Sequence, residues 1–392
     1  MSLVMPVPTI LLTLGLLASG LAAGATSAPS SKAAQPAAAT PTASAARAVP
    51  AGFTQRTVMR RLPRATDMAF APDGRLFVTL KSGVVRYRRT NGSVARLLNF
   101  SRKVNDTGER GLLGIAVDPR FATNHHLFLV YTHRATGTLP IHNRLVRVTV
   151  RNGRLAPGSE RLLFRFNGQR RTNHVGGSVQ VGRDGKLYVS HGENGRDAQA
   201  QSLDNVLGKI VRLNRNGTIP ADNPFFNRAN GRNRAIWARG LRNPFKFAFD
   251  PRRSRGFIND VGAQTWEEIN RLRKGGNYGW PTHEGPESAQ RFIPPIFAYR
   301  HAGAAGSTGC SITGGEFYRP ARRNFPARFV GDYFFADFCN GWVRRYDRGA
   351  DRATPFATGL GSPVDLEVDR LGALYVLVHG TPGRVVRIRS NR

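Results

Sequence analysis

The sequence predicts an all-β fold, a six-bladed β-propeller with four-stranded antiparallel blades. Three observations lead there. A strand–turn–strand pattern recurs, beginning at Met68, Gly114, Val179, Phe247, Tyr333 and Asp365. The 392 residues include 43 Gly and 24 Pro, enough turn formers for many short strands. Helical patterns are few, and they fall between the predicted strands. One small twisted sheet cannot bury both of its faces. Radial stacking of several such sheets buries them and leaves only short edges.

Taken in order, the chain opens on an apolar run, Thr9–Ala23, followed by the small residues Ala22 to Ala25. Residues 1–25 therefore read as a secretory signal peptide, although no Lys or Arg precedes the run. The run is short for a membrane span, and no cysteine follows it to carry a lipid. Residues 26–50 are mostly Ala, Pro, Ser and Thr, a composition that buries little apolar surface and predicts a disordered linker. The folded domain is expected over residues 51–392, in a secreted or periplasmic location. Cys310 and Cys339 are the two cysteines, and in an exported chain they are expected to form a disulfide.

The densest polar stretch is Asn173–Leu213. Ser178–Val181 and Lys186–Ser190 read as strands around the turn Arg183-Asp184-Gly185. His174 precedes them beside Gly176 and Gly177, which let another group approach the backbone. Glu193, Arg196 and Asp197 follow on a Gly-broken loop, the kind of place where a β scaffold carries function. Two short helices are predicted. Ala198–Leu207 is one. Thr265–Leu272 is the other, with Thr265 and Glu268 at capping-box spacing.

Lys and Arg total 58 against 25 Asp and Glu, a formal charge of +33 spread along the chain. Such a surface attracts anionic polymers. No zinc-finger, RRM or helix-turn-helix pattern accompanies it, so specific nucleic-acid recognition is not expected. An anionic cell-envelope polymer is a candidate partner.

Several runs resemble one family. RGLLGIAVDPRF from Arg110, the His-Gly-Gly hairpin at His174, LGKIVRLNRNGTIPADNPF from Leu207, GLRNPFKFAFD from Gly240 and EEINRLRKGGNYGWP from Glu267 are similar to the soluble quinoprotein aldose (glucose/sorbosone) dehydrogenases. The resemblance implies a six-bladed propeller that oxidises an aldose to a lactone with pyrroloquinoline quinone (PQQ) and Ca2+. It also implies site residues. His174 matches the general base and Glu193 the carboxylate that orients it. Arg242 matches the arginine beside the quinone carbonyl, and Asn243 follows it in the cofactor wall. Glu109 matches a substrate-facing polar residue. The carbonyls of Gly262 and Ala263 match a calcium bridged to the cofactor. Glu268 and the carbonyl of Tyr278 match a second calcium. No Cys-x-x-Cys-His haem motif occurs, so electrons would leave to a diffusible acceptor.

The chain departs from the family at its basic cofactor anchors. Cys339 stands at a lysine, and Ser362 and Val364 stand at an arginine pair. Arg300, Arg344 and Arg345 are the expected substitutes. Two further readings follow from the departure and the charge. One is a propeller that has lost PQQ and serves as a carbohydrate- or protein-binding module. The other is a propeller that binds anionic envelope polymer or nucleic acid through its arginine surface.

Overall fold

A computed structural model describes residues 49–287, 290–301 and 308–391. The expected leader and all but the last two residues of the linker lie outside the described residues. The rest forms six antiparallel sheets, five of four strands and one of five, arranged as a six-bladed propeller. The extra strand, Arg154–Leu155, is a two-residue addition to the second blade. None of the described helices is long and apolar enough to cross a membrane.

The inner strands are Ala65–Phe70, Leu112–Val117, Val179–Val181, Pro244–Phe249, Ile312–Phe317 and Ser362–Val368. Each neighbours the next around the ring, and the last returns to the first. Closure is non-local. Phe53–Met59, the first described strand, pairs with Arg384–Ser390 and becomes the outer strand of the sixth blade. Phe53 then buries its ring edge-on against Phe325 at 4.8 Å and Phe356 at 5.3 Å. Five of the six recurring fragments begin on an inner strand. The fragment at Tyr333 covers the second and third strands of its blade instead. The inner strand there, ITGGEF, carries Gly314 and Gly315 and so lacks the apolar signature.

Both predicted helices are corrected. Trp266–Leu272 is a strand, hydrogen-bonded to Gly256–Asp260 on one side and Phe297–Arg300 on the other. Sheet partners on both edges satisfy its backbone, and that outweighs a local capping pattern. Of Ala198–Leu207, only a 3-10 turn over Asp197–Ala200 forms.

Near the start of five inner strands the register slips, leaving extra residues opposite the neighbouring strand. A bulge of this kind re-aims side chains. In four blades the single extra residue is Thr66, Leu113, Phe245 or Val364, and all four face one central cavity. After three of these bulges come Asp67, Lys246 and Asp365, which meet on the axis. The Lys246 ammonium contacts Asp67 and lies 3.1 Å from Asp365. Asp67 also accepts from the Ile115 N–H at 2.8 Å, and Asp365 from the Met68 N–H at 2.9 Å. Four blades are thus tied at one point. Burial works against charge on Lys246, but Asp365 and Asp67 outweigh it and hold the ammonium above the ordinary lysine range. Removing the cation strands two buried carboxylates. Lys246→Met is expected to lower unfolding free energy by about 3–5 kcal/mol, measured by urea denaturation.

Candidate active site

The central cavity measures about 310 Å3 and opens at one end of the ring. His174, Glu109, Arg242 and Asn243 line it together, and so do Lys81 and His379. His174 sits on the segment entering the third blade and takes a left-handed backbone, φ 51°. A non-glycine residue held there costs of order 1–3 kcal/mol, so its neighbours must hold it. They do so on three sides. Its N–H donates to Glu109 Oε2 at 2.8 Å. Its carbonyl accepts from the Asn194 N–H at 3.2 Å. Its Nδ1 bonds the Glu193 carboxylate. Gly192 is required beneath it, since a Cβ there would stand 2.3 Å from the His174 carbonyl oxygen.

Glu193 has no exposed surface. Burial opposes its charge, but the bonds from His174 and from the Arg196 N–H, at 2.5 Å, outweigh it and keep the carboxyl below its usual range. A carboxylate on Nδ1 selects the tautomer with hydrogen on Nδ1 and leaves Nε2 to accept a proton. The two side chains are in direct contact.

Arg242 and Asn243 stand at the mouth of the fourth blade because Asp260 holds their N–H groups, at 3.0 and 2.7 Å. The Arg242 guanidinium lies 5.5 Å from the Trp280 ring and donates to the carbonyls of Val261, at 3.1 Å, and Gly262, at 2.5 Å. Asn243 reaches back to Glu109 Oε2 at 3.4 Å, so one carboxylate oxygen bridges the His174 backbone and the Asn243 amide.

A second, small cavity of about 10 Å3 lies behind Arg242. That is room for about one water or ion. Gly262, Glu268 and Tyr278 line it, and so do two carboxyls that motif reading missed, Asp260 and Glu284. Burial raises the pKa of Asp260, and the charge of Glu268 adds to it. Burial likewise raises Glu268, with Glu284 adding its repulsion. Three carboxyls lining one small cavity suit a divalent cation in kind, whose charge would reverse both effects. Their oxygens, however, are turned to Arg242, Asn243, Ala263, Asn270 and Gly285 and do not converge on one point, so a cation would have to draw them together. Gly262 must be glycine, because a Cβ would meet the Trp266 carbonyl oxygen at 1.6 Å. Ala263 lines neither cavity; its N–H donates to Glu284 at 2.6 Å. Asp260 was legible in principle, two residues before Gly262. Glu284 carries no local signal.

Residues 62–387 match the glucose / sorbosone dehydrogenase family. The chain belongs to that family. Among its relatives, the aldose sugar dehydrogenase YliI of Escherichia coli (strain K12) is 32% identical over 248 residues, 61% of this chain and 64% of that protein. The HIPL1 protein of Arabidopsis thaliana is 36% identical over 202 residues, 42% of this chain and 28% of that protein. Both matches span less than two thirds of the relative. A solved structure of the PQQ-bound aldose sugar dehydrogenase of Streptomyces coelicolor superposes with a TM-score of 0.71 at 25% identity, covering 87% of this chain and 99% of that one.

At two of the places that the resemblance gives to basic anchors the side chains are non-basic, and the expected substitutes are corrected. Cys339 is bonded to Cys310 and Val364 lines the cavity with Phe338, an apolar stretch of wall. Arg300 stacks on Trp266 at 4.1 Å and Arg344 on Trp342 at 4.3 Å, while Arg345 pairs with Asp332 and Asp347. None of the three lines the cavity. Each already has an aromatic or acidic partner nearer to its own strand.

His191 lies buried one residue before Gly192, stacked on Phe166 at 4.9 Å, with Nδ1 2.7 Å from the Gly192 carbonyl oxygen. Burial pushes its pKa down to about 4 from 6.5. The folded form resists protonation, so stability is full above 6.5 and falls as pH drops toward 4. At about pH 5 the loss attributable to His191 is about 2 kcal/mol. Melting curves across this range are expected to show it, and His191→Asn, which takes no proton, to flatten it.

Proposed function

We propose that this protein oxidises the hemiacetal of an aldose at the anomeric carbon to a lactone, using PQQ and Ca2+. The observation that carries the reading is a carboxylate-oriented imidazole, His174–Glu193, lining the same cavity as the guanidinium of Arg242. The names of the relatives, aldose sugar dehydrogenase and a PQQ-bound homologue, point the same way.

PQQ, when bound, supplies the two-electron acceptor. His174 Nε2 takes the proton of the anomeric hydroxyl as the carbon is oxidised, and Glu193 stabilises the imidazolium that forms. Arg242 offers a positive charge and N–H groups where negative charge develops, and Trp280 and the carbonyls of Val261 and Gly262 keep it in place. Glu109 holds the His174 backbone and presents a carboxylate edge toward the sugar. Leu113, Phe245 and Val364 exclude water from this end of the cavity. Glu268, Asp260 and Glu284, with the Tyr278 carbonyl, would hold one Ca2+. The resemblance assigns a second Ca2+ to the carbonyls of Gly262 and Ala263, but Ala263 lines neither cavity and Arg242 already donates to the Gly262 oxygen, so the Glu268 site is the one proposed. Export past the membrane suits the Cys310–Cys339 disulfide, and a diffusible acceptor would carry electrons away. The basic surface would hold the enzyme near anionic envelope polymer. The apolar wall at Phe338 and Val364 favours a second reading, a cofactor-free carbohydrate- or protein-binding module.

Purified protein supplied with PQQ and CaCl2 is expected to reduce a redox dye with glucose or another aldose. His174→Ala is expected to lower kcat by about 100- to 10,000-fold. No dye reduction across an aldose panel, together with no PQQ-induced melting shift, would leave the binding-module reading. Calcium is expected to raise the melting temperature of the wild type and to have little effect on Glu268→Gln. An equal calcium response in that variant would remove Glu268 from the metal site.

A further inference from the structure

The cavity has a charged corner that the His174–Glu193 pair does not use. It lies where the first blade meets the sixth. Lys81 follows the strand Leu76–Leu80, and His379 ends the strand Leu374–His379. Both line the cavity. His379 Nδ1 lies 2.8 Å from the Ala65 carbonyl oxygen, so Nδ1 carries the hydrogen and Nε2 is the other ring nitrogen left for a ligand. The Lys81 ammonium donates to the carbonyls of Asp106, at 3.0 Å, and Gly108, which uses two of its three N–H groups.

A third base stands behind them. Arg64 pairs with Asp106 at 2.5 Å. Burial lowers the pKa of Lys81, and the Arg64 charge lowers it further, against the smaller pull of Asp106 and Glu109. Burial lowers His379 too; the bond to Ala65 opposes this, while Lys81 and Arg64 add to it. Of the acids here, Asp106 is taken by Arg64, and Glu109 Oε2 by the His174 N–H and the Asn243 amide. The corner therefore sets the Lys81 and Arg64 cations against the Asp106 and Glu109 carboxylates, and places the Lys81 ammonium and the His379 ring next to a wall of Phe245, Phe338 and Val364. An ammonium with an N–H to spare, beside an imidazole and an apolar wall, is complementary to a flat ring that bears a carboxylate.

We propose that Lys81 and His379 form the anion-holding end of this cavity and take a carboxylate of a flat aromatic ligand whose rings lie against Phe245, Phe338 and Val364. The inference deepens the cofactor reading above and rests on it for the ligand's identity. Lys81 is the principal contact, with a free N–H. His379 adds a second donor once an anion beside it favours the imidazolium.

The test is an equilibrium titration of the full chain, followed by calorimetry and tryptophan fluorescence, with two probes. One is PQQ with CaCl2. The other is isophthalate, an aromatic dicarboxylate with no quinone. The variants are Lys81→Met, Lys81→Arg and His379→Gln, each checked by its melting curve. For every probe the wild type binds, Lys81→Met is expected to weaken affinity about 10-fold or more and to reduce its salt dependence. Lys81→Arg is expected to restore most of the loss, and His379→Gln to give a smaller one. If isophthalate binds through Lys81 while PQQ does not, the cofactor reading fails and this one stands. If PQQ binds and sustains turnover but both Lys81→Met and His379→Gln bind it as the wild type does, this inference is overturned and the enzyme reading stands. If the wild type binds neither probe, the inference is overturned as well.

Discussion

The architecture depends on a single buried ammonium. Lys246 reaches the axis from the fourth blade and meets Asp67 of the first and Asp365 of the sixth. A propeller needs something at its centre, because the inner strands converge there and expose backbone and side-chain polar groups to one another. A central apolar plug would leave the Met68 and Ile115 N–H groups without partners. The two carboxylates accept them, and the ammonium makes the carboxylates tolerable in a buried setting. Other polar stitches repeat the device off the axis. Asn259 bonds the carbonyl of Thr313 at 3.2 Å in the next blade, Thr313 bonds Pro363 at 2.6 Å, and Asn143 bonds Val175 at 2.9 Å.

The bulges connect this axis to the cavity. Where the register slips by one residue, the residue before the slip's end faces the opening and the next faces the axis. The same local distortion thus yields an apolar wall, through Leu113, Phe245 and Val364, and a polar floor, through Asp67, Lys246 and Asp365. A wall of low polarity strengthens every charge interaction inside it. That matters for an imidazole whose orientation rests on one carboxylate, and for a guanidinium held by two carbonyls and an indole. The strained backbone at His174 is affordable because Glu109, Glu193 and Asn194 each bind a different part of the residue.

The surplus of arginine is absorbed without acids. Arg242, Arg196, Arg110 and Arg239 donate to backbone carbonyls. Arg300 and Arg344 lie over indoles. Carbonyl oxygens and ring faces accept a guanidinium without neutralising it. These contacts hold the side chains in place while the net charge remains.

The class of fold, the number of blades and the family were legible in the residues alone, as were the positions of the loop carrying His174 and Glu193 and of the Arg242–Asn243 pair. These are local signals: period-two strands, Gly and Pro punctuation, and motifs a few residues long. What Trp266–Leu272 becomes is set by folding of the whole ring, because its sheet partners arrive from other segments and override a helix cap. The tertiary structure alone shows that Phe53–Met59 completes the sixth blade, that Glu284 joins Glu268 and Asp260, and that Lys81 and His379 share a corner. Those juxtapositions are made by ring closure between residues far apart in the chain, and no spacing in the sequence encodes such a distance.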